Sequence, residues 1–278
     1  MKHARLTSLL VAVCLSLVSY ADELELHHSM VLDLGDITPE DVQIDGHVQG
    51  LLVRDGYAFV FHHGGQVLVY DIDTKQFVSS YYLPGNTSHC NNASFGTKRY
   101  SAKSRFPMAY ISDCNYDGSC YVYDLYTDHA VEVQRIYLTD TPVPVECGTG
   151  WFIDESSQKL CMHWFGKVWT FPIPCKHRKT VRLSVAGKEP SGLMNNPVVH
   201  QGACAYRGYQ FFPCGFAGEP TYMTINEIST SRTWSFRTDD TVCPYEPEGV
   251  CGWNGGVYVT YPGLGKEVFL YRFEVKKK

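Results

Sequence analysis

The chain has 278 residues, with 24 basic against 29 acidic side chains and a formal net charge of −5. It therefore has no cationic excess to draw in a polyanion, and its one basic run is Lys276-Lys-Lys278 at the C-terminus. Nucleic acid and anionic membrane surfaces are excluded as natural partners, and that run reads as a solvated tail.

The first 21 residues read as an export leader. Lys2 and Arg5 form a positive n-region, Leu9 to Val18 an apolar stretch, and Ser19-Tyr-Ala21 a small-x-small cleavage site. The apolar stretch is short for a bilayer span, and no later segment is long and apolar enough to cross. Val13 before Cys14 is too large for a lipoprotein box. The expectation is cleavage near Ala21 and a secreted protein, extracellular or periplasmic, with residues 22–278 forming one domain.

Asp22 to His28 reads as a polar leader to the domain. Ser29-Met-Val-Leu-Asp-Leu34 is a strand standing alone. Thr38-Pro-Glu-Asp41 carries a helix-start signal good for about one turn. After it, one short pattern recurs about every fifty residues: a small-residue run, a turn, an aromatic strand, then a second strand ending in a turn. The clearest copies of the second strand are Val67-Leu-Val-Tyr-Asp-Ile-Asp-Thr74 and Cys120-Tyr-Val-Tyr-Asp-Leu-Tyr-Thr127. Weaker ones follow at Lys167–Pro174, Thr221–Ile228 and Glu267–Glu274, anchored with the first two by Tyr70, Tyr123, Phe171, Ile225 and Tyr271. Helix signals are otherwise almost absent. A period of this length built from short strands predicts an all-β fold, a single five-bladed β-propeller. The last repeat lacks a fourth strand, so the N-terminal strand is expected to complete it and close the ring, removing a free sheet edge. The blades would span 41–87, 88–140, 141–190, 191–241, and 242–278 with 29–36. The 19 tyrosines then read mainly as packing between blades.

The chain has 11 cysteines, one of them, Cys14, in the leader. In an exported chain the remaining even number suggests disulfides, and no spacing fits a zinc site. Cys114 and Cys120 flank an Asp-Gly turn and are expected to pair; Cys204 and Cys214 flank another strand-to-strand turn and are expected to pair similarly. N-x-[ST] sequons stand at Asn86 and Asn92.

The first strand of each blade lines the axis, and its start faces one mouth of the channel. Those segments are His47–Val53, His89–Phe95, Cys147–Ile153, Val199–Ala205 and Glu248–Trp253. Gln49-Gly50 and Gln201-Gly202 repeat one another, with glycine allowing close backbone approach at the axis. His47, Gln49, His89, Asn91, His200, Gln201 and Glu248 would converge near the channel mouth. Imidazoles, amides and one carboxylate so arranged can bind a hydroxyl-rich ligand, hold an ion, or simply line a wet channel. No metal ligand set is spelled out by sequence spacing. His62-His63, His163-Trp164 and Asp113 fall in the turns beside them and read as ordinary hairpin chemistry.

The run from Gln49-Gly50 through Tyr57-Ala-Phe-Val60 to Thr74 resembles exported propellers of the YVTN or quinoprotein-like kind. His89–Phe95 and His200–Gly202 are similar to secreted propellers of unassigned function of the Bacteroidales type. The residues that hold a quinone have no counterpart here, so no cofactor is implied. Five-bladed glycosidases carry paired carboxylates on successive inner strands. This chain has Asn91, Asn92 and Thr149 at such positions, with Asp45 just before the first inner strand and Glu248 on the last. The expectation is a secreted binding module for an extracellular glycan at the channel mouth. The alternatives are a carbohydrate hydrolase or lyase at the same place, or a scaffold for a surface protein.

Overall fold

The structure, a computed structural model, describes residues 23–87, 89–113, 118–139, 150–164, 167–190, 192–193, 200–216 and 218–278. Five small sheets arranged around a central axis make a five-bladed propeller. Blade 1 contains β2 (Val48–Arg54), β3 (Tyr57–His62), β4 (Gln66–Asp71) and β5 (Gln76–Tyr82). Blade 2 contains β6 (Ala93–Phe95), β7 (Ala109–Ser112), β8 (Cys120–Leu125) and β9 (Ala130–Thr139). Blade 3 contains β10 (Gly150–Asp154), β11 (Lys159–Trp164), β12 (Lys167–Pro172) and β14 (Gly192–Leu193), with β13 (Thr180–Ser184) lying between the last two in sequence. Blade 4 contains β15 (Cys204–Tyr206), β16 (Tyr209–Cys214), β17 (Tyr222–Glu227) and β18 (Thr233–Arg237). Blade 5 contains β19 (Val250–Trp253), β20 (Gly256–Pro262), β21 (Val268–Lys277) and the N-terminal β1 (Leu24–Asp33).

Burial falls from the axis outward, and the sequence follows it. β2 and β10 are buried nearly end to end, and so is β4, because neighbouring blades cover both of their faces. β5 and β18 alternate, with one face in solvent. The interblade space is filled by aromatics, as when Phe59 meets Phe95 and Phe106 edge-on at 6.2 and 5.3 Å between centroids. Three of the turns joining an inner strand to the next share one chemistry. Asp55-Gly56, Arg207-Gly208 and Asn254-Gly255 all take positive φ at both positions, as a two-residue hairpin turn demands.

Ring closure is as expected: β1 pairs antiparallel with β21, from Leu24 opposite Lys277 to Asp33 opposite Phe269. The strand starts earlier than Ser29, because Leu24 and Leu26 pack into the core of the last blades. The helix-start signal at Thr38 is not used. Thr38 instead closes a 3-10 turn over Gly35–Ile37, its hydroxyl 2.8 Å from the Leu34 carbonyl and 2.9 Å from the Tyr70 hydroxyl. One pairing has no counterpart in the sequence reading. β13 leaves blade 3 and pairs in parallel with β9, the outer strand of blade 2, before β14 returns to finish blade 3.

Adjacent inner strands touch around the ring but belong to different sheets, so their backbone amides need other partners. Small side chains of the preceding blade supply them. Ile153 N donates to Ser94 Oγ at 3.0 Å, Trp151 N to Ser112 Oγ at 2.8 Å, and Val53 N to Cys251 Sγ at 3.3 Å. Glycines sit where backbones meet: a Cβ on Gly249 would lie 2.3 Å from Leu51 N.

The disulfide expectation is corrected. Cys204 and Cys214 are free thiols: register places Cys204 opposite Phe211, while Cys214 faces Tyr222 on one side and His200 on the other. Cys120 is likewise a free, buried thiol, and its expected partner Cys114 lies outside the described residues. Burial pushes the Cys204 and Cys120 thiols well up, so both are protonated and unreactive at neutral pH. The sequon asparagines are both buried, Asn86 at 1% exposure and Asn92 at 0%, so neither can present a glycan on the folded chain.

Candidate functional site

Inner strands begin, and second strands end, at the same mouth of the channel. Of the seven expected site residues, His47, His89, His200, Gln201 and Glu248 fall into three groups of contacts rather than one, while Gln49 and Asn91 are buried on or beside the inner strands of blades 1 and 2.

The first group joins blades 1 and 2. His63, in the turn after β3, places Nδ1 3.0 Å from Nδ1 of His89, which precedes β6. The exposed His47 adjoins them, its carbonyl accepting from His63 N at 2.9 Å. His62, at the end of β3, is buried, with Nδ1 3.4 Å from the Gly46 carbonyl and Nε2 unpartnered. Burial pulls His62 down to about 4. Burial and the neighbouring imidazoles of His63 and His47 pull His89 down to about 4. Gln49 is buried on β2 nearby in sequence, and Asn91 is buried just before β6 with Oδ1 unpartnered.

The second group joins blades 3 and 4. His163 near the end of β11 meets His200 edge-on at 4.6 Å, and both rings pack on Phe212. Neither Nε2 has a partner. Burial, with the charge of His200, holds His163 well below its usual value, and burial pulls His200 to about 4.

The third group joins blades 4 and 5. Gln201 Nε2 donates to the Gly215 carbonyl at 3.0 Å and to Glu246 Oε1. Glu248 is buried beside Glu246; burial and that neighbouring charge raise its carboxyl well above the usual range.

The axis itself is occupied by Asn92. Its amide donates from Nδ2 to the Trp151 carbonyl at 2.8 Å and accepts from Ala203 N at 2.9 Å, tying blade 2 to blades 3 and 4. The sequence offered Asn92 only as a sequon and as a missing acid. His62, His63, His163 and Asp113, set down as hairpin chemistry, are instead drawn into the rim: His62, His163 and Asp113 are buried, and Asp113 Oδ1 is unpartnered. Glu246 was passed over although Glu246-Pro-Glu248 is an evident carboxylate pair. Cys147 and Thr149 lie outside the described residues.

Chemically the described rim offers imidazoles, amides and carboxyls, with His62, His89, His163 and His200 neutral at neutral pH. It holds buried polar atoms without a protein partner from blades 1 to 4, at His62, Asn91, Asp113, His163 and His200. The opposite mouth is different. There a cavity of about 30 Å³ is lined by Arg54, Ser94, Glu155, Cys204, Tyr206 and Cys251, room for about one or two waters. Arg54 packs over Trp253 at 4.1 Å and reaches Glu155 at 3.8 Å.

No family model matches this sequence, and no curated protein matches it. Solved structures share the fold. The tail fiber of Staphylococcus aureus phage P68 is similar over 89% of this chain, with TM-score 0.58 and 11% identity. This chain spans 52% of that one, about half its length. A Bacteroides thetaiotaomicron protein of unknown function is similar at TM-score 0.53 and 10% identity, over 91% of this chain and 77% of that one. Myxococcus xanthus glutaminyl cyclase is similar at TM-score 0.53 and 13% identity, over 84% and 92%. At these identities the likeness is one of fold.

Proposed function

We propose that this propeller is an exported binding module that takes an extracellular glycan on the rim where its inner strands begin. One observation carries the reading: four blades each leave at least one buried polar atom without a protein partner on the same rim. Buried polar groups are otherwise nearly always paired, and sugar hydroxyls both donate and accept. The neutral state of His62, His89, His163 and His200 suits such exchange. Phe212 between His163 and His200 offers an apolar face beside the polar atoms. The leader at residues 1–21 supports export, and the blade motifs support kinship with exported YVTN-like propellers of the Bacteroidales type.

A thermal-shift screen against oligosaccharides tests this. A bound sugar at about a hundred times its dissociation constant should add roughly 2.7 kcal/mol of stability. His200→Ala and Asn91→Ala should remove most of that shift. A flat response across the panel, or a shift indifferent to both substitutions, would sink the glycan reading and favour a surface-protein partner. A second reading follows from Glu248, a buried carboxyl beside Glu246 whose affinity for its proton is raised by burial. Such a group can donate a proton to a leaving oxygen, as a hydrolase or lyase requires. Any sugar that binds should therefore be tested for turnover, with Glu248→Gln as the inactive control.

A further inference from the structure

At the blade 1–2 side of the rim, two imidazoles from different blades meet head to head. The Nδ1 atoms of His63 and His89 are 3.0 Å apart, with ring centroids at 5.2 Å and planes at 68°. One nitrogen donates and the other accepts, so a single proton holds two strong metal-ligating groups together. His63 and His47 are exposed and His89 half-buried, so the pair is open to solvent. His47 completes the patch: it lies close enough for its charge to act on both His62 and His89. Among the described residues no three His, Cys, Asp or Glu side chains already surround one point. What the fold supplies is a two-point chelate with a third imidazole at hand.

Spacing and chemistry both fit a metal. A first-row ion holding imidazole nitrogens at about 2.0–2.1 Å keeps two adjacent ligands about 3 Å apart. That matches the separation already present. A modest turn of each ring brings the two lone pairs onto one ion once the donor ring changes tautomer, its proton passing through solvent from Nδ1 to its own Nε2 so that both imidazoles stay neutral. Solvent fills the remaining positions unless His47 swings in.

We propose that His63 and His89, with His47 alongside, form a rim site for a divalent transition metal of the imidazole-preferring class. Cu²⁺ binds tighter than Ni²⁺ or Zn²⁺, and Mg²⁺, which prefers oxygen, does not compete. This site does not rest on glycan binding. It is built from pairs that sequence spacing cannot show, since its ligands come from separate blades.

The test is calorimetric titration of the chelator-stripped chain with Cu²⁺, Ni²⁺, Zn²⁺ and Mg²⁺ salts, with Cu²⁺ electron paramagnetic resonance alongside. One Cu²⁺ per chain is expected, with nitrogen hyperfine structure from at least two imidazoles. His63→Ala and His89→Ala should each weaken Cu²⁺ at least tenfold and remove one nitrogen from the spectrum. His47→Ala should weaken it less. Two controls, His129→Ala at an exposed imidazole beside Asp128 and His200→Ala across the rim, should bind Cu²⁺ as the parent does. His63 is exposed, so its variant keeps the fold, and its metal-free melting temperature verifies this. Parent-like affinity and spectrum in His63→Ala, or no Cu²⁺ uptake by the parent chain, overturns the proposal.

Discussion

Asn92 ties three blades of the ring together through one side-chain amide. Its side chain is completely buried, and it satisfies one backbone group on blade 3 and one on blade 4. Truncation leaves a buried carbonyl and a buried amide unpaired, each costing about 1–3 kcal/mol. Asn92→Ala should therefore destabilise the chain by roughly 2–5 kcal/mol in denaturant unfolding. A loss within about 0.5 kcal/mol, the ordinary range for a surface change, would show that the axis does not depend on this amide. Nothing local to Asn92 announces this role. An asparagine in a sequon reads as a surface residue, and its partners sit some 59 and 111 residues away. The imidazole pairs were hidden for the same reason: His163 and His200 meet across a blade boundary, and nothing local in either segment names the other.

At the scale of strands, the sequence was legible wherever a strand's partner is its neighbour in the chain. β4 and β8 share a Val-Tyr-Asp core, Val69-Tyr-Asp71 and Val122-Tyr-Asp124, and the hairpin turns at Asp55-Gly56, Arg207-Gly208 and Asn254-Gly255 each put a glycine at the second positive-φ position. Ring closure by the N-terminal strand could be inferred because the last repeat was one strand short. The parallel pairing of β13 with β9 could not, since Val181 and Leu183 give the five-residue strand an apolar face but nothing in it names a partner in the preceding blade. The disulfide expectation failed at this scale too. It assumed that flanking a turn puts two thiols opposite, whereas register offsets Cys214 from Cys204 by three places. Closure makes a separate prediction. Removing residues 23–34 strips β1 from β21 and exposes a ten-residue edge. The truncated chain should melt lower and elute as aggregate in size-exclusion chromatography. A monomeric product with parent-like melting would show that β1 is dispensable.

For the whole molecule, the rim histidines set the acid limit. The values of His62, His89 and His200 are pulled from 6.5 to about 4 in the folded chain, chiefly by burial, and burial holds His163 well below 6.5. Between those limits the unfolded chain binds more protons than the folded one, so stability rises with pH. The melting temperature should fall steadily as pH drops from about 6.5 towards 4, and be flatter above 6.5. Glu248 acts in the opposite sense: its raised value favours the folded chain at low pH and costs stability as pH rises above 4.5. A fourfold set of imidazoles outweighs one carboxyl across the lower window. His163→Phe should blunt the acid response; an unchanged slope would move its origin away from the rim.

The pairing of β1 with β21 also brings the two ends of the described chain side by side, with Lys278 N donating to the Glu23 carbonyl at 2.9 Å. A short linker could therefore join them, and new ends could be cut at an exposed interblade turn to give a circularly permuted ring of the same five sheets. The same neighbourhood dictates an order of assembly. Synthesis makes β1 first and β21 last, so the earliest strand waits, unpaired, for the final ten residues of its partner. Until they arrive the four complete sheets can only stand as an open arc, and the pairing of β1 with β21 is the step that turns the arc into a ring.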